Sequence, residues 1–153
     1  QVEGWVPPLF DVNDWQRTNQ VREGLIKDLS RRIELLAPKD PRRQQHIQER
    51  RSLSRQLMKE LHAVYRLTNF RRESKGLPDV FVGAGGLPTG TGDCCAPKLL
   101  NYAARHQLAP LGISEFYLGR QNRSQTRGHG KFYASCAGKC QPILGFLLCG
   151  LGD

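Results

Sequence analysis

Two proline residues, Pro38 and Pro41, impose the strongest constraint on the fold of this chain, because they separate two long stretches with helical periodicity. In each stretch apolar residues recur three or four positions apart, which places them on one face of a helix. Pro41 suits the first turn of the second helix, since the N–H that proline lacks would have no helical partner there. The sequence therefore predicts helices over residues 14–36 and 41–64 that form a helical hairpin.

Each predicted helix carries an apolar stripe that we expect to be buried. Asn13 or Asp14 is the expected N-cap of the first helix, because a short polar side chain can accept hydrogen bonds from the first free N–H groups. The stripe of the first helix consists of Val21, Leu25, Leu29, Ile33 and Leu36, and that of the second of Ile47, Leu53, Leu57, Leu61 and Val64, with Met58 beside it.

The outward faces of this hairpin are rich in cations. The chain has a formal net charge of +9, and residues 14–75 contain 16 Lys or Arg against 8 Asp or Glu. Such an excess indicates a polyanionic partner, nucleic acid first, although a solvated helix face produces the same pattern. Arginine suits phosphate because its guanidinium fork matches the phosphate oxygens. The hairpin residues expected to contact phosphate are Arg31, Arg32, Arg42, Arg43, Arg50 and Arg51.

The rest of the chain contains shorter segments of both kinds. Residues 64–71 predict a strand that pairs with Val80-Phe81-Val82, and residues 111–118 predict another strand. Helices are expected over residues 96–107 and 137–149. The apolar residues expected to be buried in the last helix are Ile143, Leu144, Leu147 and Leu148.

These elements predict an α+β fold of α/β-like character, in which the N-terminal helical hairpin packs on a small mixed sheet flanked by helices. Residues 1–13 form an extended lead-in, since Pro7-Pro8 forbids a helix there. Residues 14–64 form the basic hairpin, and residues 65–153 form an α/β domain that contains the cysteines.

Residues 83–92 contain five glycines, so their backbone can come close to another group. The segment lacks the Gly-Lys-Ser/Thr ending of a P-loop and the glycine spacing of a dinucleotide-binding turn. A tight connection beside a packed site is the favoured interpretation, and a phosphate cradle of backbone N–H groups is the alternative.

The stretch from Gly90 to Cys140 contains four of the five cysteines, and cysteines lie at both of its ends. Cysteine pairs at the entry of two helices are a recurrent way to build a tetrahedral zinc site. The candidate ligands are Cys94 or Cys95, then Cys136 and Cys140, with His129 or His106 as the fourth. The alternative is that these residues are reduced thiols that pack as small apolar side chains, as we expect for Cys95 and Cys149.

Neither a secretory signal nor a run approaching 18 apolar residues is found, so we expect no membrane span. The odd number of cysteines then favours free thiols in a reducing, cytoplasmic compartment over a disulfide framework. The chain has no initiator Met, and we expect it to be a part of a longer protein.

Residues 119–131 are polar and basic with no apolar period, which predicts a loop. Aromatic residues nearby, Tyr117, Phe132 and Tyr133, are available to stack on bases. The cations expected to contact RNA in this half of the chain are Lys98, Arg120, Arg123, Arg127 and Lys131.

The order of Cys94, a strand, and the pair Cys136 and Cys140 at a helix start resembles the zinc nucleobase deaminases. In that family the catalytic Glu follows the first ligand by two positions, where this chain has Ala96. The second pair is also one residue wider than the family's, and Glu115 does not occupy the family's position. The resemblance implies a degenerate deaminase-like fold without the acid/base, kept as a binding scaffold.

A second resemblance covers nearly the whole chain. Its motifs are Trp5 to Asp11, Gly90 to Leu100, Glu115 to Gly119 and Phe132 to Leu148. In this order they resemble the long N-terminal region of the large bacterial RluA-type pseudouridine synthases. In that family a C-terminal synthase domain follows, and its His-Arg-Leu-Asp string supplies the catalytic Asp. This chain has no such string, so the resemblance implies part of an RNA-modifying isomerase, with no catalytic residue here.

Two classes of function follow. The first is a non-catalytic domain that binds RNA (rRNA or tRNA) or positions it for a pseudouridine synthase domain of the same polypeptide. The second is a zinc protein, either deaminase-like or structural, with dimerisation through the hairpin as a further version.

Overall fold

The structure, a computed structural model, describes residues 5–123 and 125–152. The chain divides into two compact units. We call residues 10–65 the helical unit; residues from Arg66 onward, together with the lead-in up to Leu9, are the cysteine unit. The described residues form five helices and one two-stranded sheet, which confirms the α+β class. The first four residues of the predicted lead-in lie outside the described part of the chain. Ser124 and Asp153 also lie outside it.

The helical unit consists of two long helices, α1 (Val12–Leu35) and α2 (Pro41–Ala63). The predicted N-cap of α1, Asn13 or Asp14, is wrong. The cap is Asp11, whose carboxylate accepts hydrogen bonds from the N–H groups of Asn13 and Asp14, at 2.9 and 3.0 Å. The helix therefore begins two residues earlier than predicted. The predicted start of α2 at Pro41 is confirmed, and Asp40 caps this helix by accepting from the N–H of Arg42.

The buried face of α1 is rotated from the predicted stripe. Leu29 and Ile33 are buried as predicted, whereas Val21 is 71% exposed and Leu25 is 53% exposed. In place of these two, Arg22 lies on the partly buried face, where its guanidinium donates two hydrogen bonds to the Glu60 carboxylate of α2, at 2.7 and 2.8 Å. Because Arg22 faces α2 in this pair, Val21 and Leu25 at the start of the predicted stripe lie on the exposed side of α1.

Aromatic residues pack together beside the hairpin's open end. The ring of Phe10 lies 5.8 Å from that of Trp15 and 4.8 Å from that of Tyr65, centroid to centroid. Phe10 and Tyr65 also form an antiparallel β-bridge. The start of α1 is thereby tied to the residues that follow α2.

The sheet of the cysteine unit joins β1 (Arg66–Thr68) to β2 (Ser74–Gly76) as an antiparallel pair. The predicted pairing with residues 80–82 is wrong, and the sheet is antiparallel rather than mixed. The buried Asn69 explains the early turn, because its Oδ1 accepts hydrogen bonds from the N–H groups of Arg71 and Glu73. Arg72 completes the turn in the left-handed region, at φ 65°.

Three helices complete the cysteine unit: α3 (Leu77–Val80), α4 (Cys95–Arg105) and α5 (Gln141–Leu147). The side chain of Asn101 on α4 accepts a hydrogen bond from the N–H of Thr68 at 2.7 Å, which joins α4 to the sheet. The fully buried residues at the centre of this unit are Leu67, Leu77, Ile143, Leu147, Asn69, Thr91, Pro97 and Cys140.

Two further predictions in this unit need correction. Residues 111–118 form no strand beyond a single bridge between Phe116 and Phe132. Leu111 is fully exposed and Phe116 is 58% exposed, so no apolar face of this segment is covered by a sheet. The last helix spans Gln141–Leu147 rather than 137–149, and Leu148 is 41% exposed. Across the described residues, no helix is both long and apolar enough to span a membrane.

Candidate metal centre

Cys94 follows the glycine-rich turn that precedes α4. Gly90 and Gly92 adopt φ of 79° and 86°, a conformation that other residues rarely tolerate. Between them the buried Thr91 donates its hydroxyl to the carbonyl of Pro88 at 2.8 Å. This turn places Cys94 at the N-cap of α4. These glycines thus form a tight connection beside a packed site, as the favoured interpretation of the sequence predicts.

Cys136 and Cys140 lie on one tight turn that leads into α5. The carbonyl of Cys136 accepts hydrogen bonds from the N–H groups of Lys139, Cys140 and Gln141, at 3.3, 3.1 and 3.1 Å. A bond between residues four apart closes one helical turn, and side chains at that spacing lie on the same side. The C-x3-C spacing therefore brings the two thiols together before the helix proper begins.

The three thiols converge. The Sγ atoms of Cys94, Cys136 and Cys140 all lie within 4.8 Å of one another, and the Sγ atoms of Cys94 and Cys136 are 4.0 Å apart. A tetrahedral zinc ion with Zn–S bonds of about 2.3 Å separates its sulfur ligands by about 3.8 Å. The thiols therefore already have close to the spacing that a shared zinc ion requires, and they could hold such a metal.

The thiols differ in their tendency to ionise. Burial, together with the contacts with Cys140 and Cys136, raises the pKa of the Cys94 thiol to about 12. Burial also raises the pKa of Cys140. At Cys136 the effect of burial is outweighed by the hydrogen bonds from the Cys140 N–H and from the neighbouring thiols, so its pKa is lowered. Cys136 is thus the first to become a thiolate, and a bound dication would offset the charge of all three.

Glu115 joins the two cysteine-bearing segments. Its Oε1 accepts a hydrogen bond from the N–H of Ala96 at 3.1 Å, and its Oε2 accepts one from the hydroxyl of Ser135 at 2.6 Å. Ala96 lies two residues after Cys94, and Ser135 directly precedes Cys136. The carboxylate thus holds the start of α4 against the segment that carries the other two thiols.

The remaining candidate ligands lie apart from the three thiols. The ring of His129 accepts a hydrogen bond at Nδ1 from the N–H of Gly119, at 3.3 Å, and is not among the metal-ligating groups within 4.8 Å of the cluster. His106 follows the last turn of α4, about 18 Å along the helix from Cys94 at 1.5 Å per residue. Cys95 is exposed, and Cys149 follows α5.

The predicted cations of the loop at residues 119–131 are partly ordered by local contacts. The guanidinium of Arg127 lies over the ring of Tyr133, 4.1 Å from its centroid. The Tyr133 hydroxyl accepts a hydrogen bond from the N–H of Gly128 at 2.8 Å. The other predicted contact residues in and near the loop, Arg120, Arg123 and Lys131, are exposed, and Lys98 on α4 is half-buried.

The predicted cations of the helical unit fall into two groups. Arg31 and Arg42 each pair with an acid on their own helix or at its cap, Asp28 and Asp40 respectively. The others form none of the ion pairs found among the described residues; they are Arg32, Arg43, Arg50 and Arg51. Arg31 and Arg42 are therefore neutralised by a neighbouring carboxylate, whereas the other four cations are available to bind an anion.

The search for similar proteins is negative at every level. No protein family model, no curated protein and no solved structure matches this chain. What can be said of the site therefore depends on its own geometry.

Sequence reasoning missed the role of Glu115 at this site. The residue lies between 19 and 21 positions from the two segments that it joins, and no local spacing pattern predicts such a contact. Its only sequence signal is that it is a lone acid within the otherwise uncharged stretch at residues 106–119. Asn101, which anchors α4 to the sheet, was missed for the same reason.

Proposed function

We propose that the cysteine unit is a zinc-binding module in which Cys94, Cys136 and Cys140 are the protein ligands. The observation that carries this proposal is the convergence of three sulfur atoms from two separate segments to within 4.8 Å of one another. Thiolates favour Zn²⁺ over harder cations such as Mg²⁺ or Ca²⁺, and a tetrahedral set of sulfurs is typical of zinc.

The cluster supplies three of the four ligands of a tetrahedral zinc ion, so the fourth ligand comes from outside these three residues. The predicted fourth ligand, His129, accepts a hydrogen bond at Nδ1 from the N–H of Gly119 and is not part of the cluster of ligand atoms that lie within 4.8 Å of one another. Cys94 and Cys136 are only partly buried, whereas Cys140 is fully buried. The accessible side of the centre is therefore formed by the first two thiols.

The role that we propose for the metal is structural. Both carboxylate oxygens of Glu115 already accept hydrogen bonds that join the cysteine-bearing segments, which is how a positioning residue behaves. The deaminase-like alternative requires that carboxylate to move a proton at a bound base. Release of ammonia from cytidine or adenosine by the zinc-loaded chain, abolished in Glu115→Gln, would support that alternative.

The test is metal analysis of the full chain after purification without added chelator. We expect one equivalent of zinc in the unchanged chain and in Cys95→Ser, and none in Cys140→Ser. Cys95 is a matched control because it is adjacent to Cys94 yet exposed. Equal metal content in the two variants would exclude the proposed ligand set.

A second proposal is that the chain is an RNA-binding accessory domain of a pseudouridine synthase, which positions rRNA or tRNA for a C-terminal synthase domain. Its support is the net charge of +9, together with exposed cations on the helical unit and on the loop. Such a domain would lose affinity for RNA steeply as salt rises, because counterions are released on binding. Affinity for structured RNA that barely changes between 50 and 200 mM salt would exclude it.

A further inference from the structure

A shallow groove of about 500 Å³ runs between α1 and α2 within the helical unit. Four of its six lining residues lie on α2, and three of those four are arginines. The lining residues are Ile26, Ser30, Arg50, Arg51, Ser54 and Arg55. No acidic side chain is among them, so the groove concentrates positive charge in one concave place.

The arginines of the groove are not neutralised by neighbouring acids. Among the described residues, no ion pair involves Arg50, Arg51 or Arg55. Glu49, the acid next to them in sequence, has its carboxylate 3.7 Å from the Nδ1 of His46 instead. This differs from α1, where Arg17, Lys27 and Arg31 each pair with an acid three or four positions away.

The spacing of the lining residues suits an extended anion. Residues 50 and 54, and residues 51 and 55, are each separated by four positions, so the members of each pair lie on the same side of α2, about 6 Å apart along the axis. Arg51 and Arg55 are thus spaced along the groove, and Arg50 directly precedes Arg51 in the chain. Guanidinium groups in such a row can each donate paired hydrogen bonds to a different phosphate.

We propose that this groove binds the phosphodiester backbone of RNA, with Arg50, Arg51 and Arg55 as the phosphate contacts. The proposal deepens the RNA-binding function proposed above and rests on it. It selects Arg50, Arg51 and Arg55 from the arginines of the hairpin, and it leaves out Arg31 and Arg42, whose charge is offset by Asp28 and Asp40. Backbone contacts position RNA without reading its sequence.

The groove offers a backbone site and no base pocket. Its lining contains no aromatic side chain on which a base could stack, and Ile26 is the only apolar residue among the six. Stacking on aromatic side chains is how single-stranded bases are usually held. We therefore expect the groove to bind RNA of different sequences with similar affinity.

The test compares two triple variants of the full chain that remove the same formal charge. The groove variant is Arg50→Gln/Arg51→Gln/Arg55→Gln, and the control is Arg17→Gln/Lys27→Gln/Arg31→Gln on α1. Binding of a fluorescein-labelled 20-nucleotide RNA is measured by anisotropy from 50 to 200 mM salt. Circular dichroism confirms that each variant keeps its helical content.

The expected result is a weaker and less salt-dependent complex for the groove variant alone. Three lost phosphate contacts at about 0.7 each lower the slope of log K against log salt by about 2. Over a fourfold rise in salt, the unchanged chain therefore loses about 20-fold more affinity than the groove variant. An Arg→Lys version of the same triple substitution keeps most of the salt dependence, which separates loss of charge from loss of fold.

Three outcomes overturn the proposal, and they are distinguishable. No RNA binding by the unchanged chain overturns both the groove and the RNA-binding function. Binding that falls equally in the two triple variants overturns the groove alone, since the net charge would then explain the effect. A poly-glutamate peptide that competes with RNA at equal concentration overturns the assignment to RNA, because the groove would then serve an acidic protein.

Discussion

The helical unit and the cysteine unit reach stability by different routes. The helical unit has two helices of 24 and 23 residues, each with an aspartate cap. Most of its ion pairs lie within one helix or at its cap, and the pair of Arg22 with Glu60 joins the two helices. In the cysteine unit the longest element has 11 residues and the strands have 3. Helices that short are marginal by themselves in water, so this unit depends on contacts between segments.

Three side chains of this unit accept hydrogen bonds that hold a turn or join two segments. Asn69 holds the turn between the strands, Asn101 joins α4 to β1, and Glu115 joins the two cysteine-bearing segments. The thiol cluster adds a fourth connection of this kind if it binds metal. The comparison therefore predicts that changes at long-range connections damage the cysteine unit, while the helical unit responds to changes in local structure.

The largest expected effect comes from loss of the proposed metal centre. Cys140→Ser should remove bound zinc and lower the protection of amides in the cysteine unit against hydrogen exchange, because structural zinc contributes directly to folding. Amides of α1 and α2 should keep their protection, and Cys95→Ser should change neither unit. If protection fell equally in both units, the contrast between them would be wrong.

The core of the cysteine unit should be the next most sensitive. Leu147 has no exposed surface, so we expect Leu147→Ala to cost about 2–5 kcal/mol in the free energy of unfolding. Leu25→Ala makes the same chemical change on the helical unit, where the side chain is 53% exposed, and should cost far less. Urea denaturation of both variants measures this difference, and similar midpoints would contradict the assigned burial.

Glu115 should affect the metal more than the fold. Glu115→Gln keeps the size of the side chain but weakens the hydrogen bonds to Ala96 and Ser135, and we expect zinc affinity to fall about 10–100-fold, as for other residues that position ligands. Competition with a chromophoric chelator measures the affinity. Glu115→Asp, which keeps the charge, should recover part of it, and an unchanged affinity in both variants would remove Glu115 from the site.

Zinc should protect three cysteines and leave two reactive. In the metal-free chain we expect Cys136 to be alkylated before Cys94 or Cys140, since its pKa is lowered and theirs are raised. Added zinc should slow alkylation of these three thiols. Mass spectrometry of the peptides reports each site, and Cys95 and Cys149 serve as internal controls whose rates should not change with zinc.

The smallest expected effect concerns a helix cap. Asp11→Ala removes the acceptor for the N–H groups of Asn13 and Asp14 and should cost about 1 kcal/mol. Asp28→Ala removes the same charge from the exposed middle of α1, where the pair with Arg31 contributes at most about 0.5 kcal/mol. Thermal unfolding should rank the two in that order, and the reverse order would show that α1 is not stabilised by its cap.

The sequence was a good guide wherever a feature depends on neighbours along the chain. Pro38 and Pro41 predicted the break between the long helices, and Pro41 does begin α2. The predicted helix over residues 96–107 matches α4 within two residues at each end. The sequence also predicted Cys94, Cys136 and Cys140 as candidate ligands, because helix-entry cysteines and a C-x3-C pair are local patterns. The structure brings these three thiols together.

Tertiary structure alone decided the features that depend on distant residues. The packed face of α1 includes Arg22, which pairs with Glu60 of α2, whereas the apolar period alone favoured a face that includes Val21 and Leu25. The turn at Asn69 ends β1 early and gives it a different partner from the one predicted. The groove residues of α2 are local neighbours, but only the packing of α1 beside them makes a concave site.

The physical reason for this division is the range of the interactions. Caps, proline breaks and helical period act within about four residues, so they can be read from the chain before it folds. A carboxylate that bridges Ala96 and Ser135 acts between residues 39 positions apart, and it acquires its partners only when those segments meet. The sequence by itself therefore determined the two long helices and α4, and the fold decided which thiols and which charges come together.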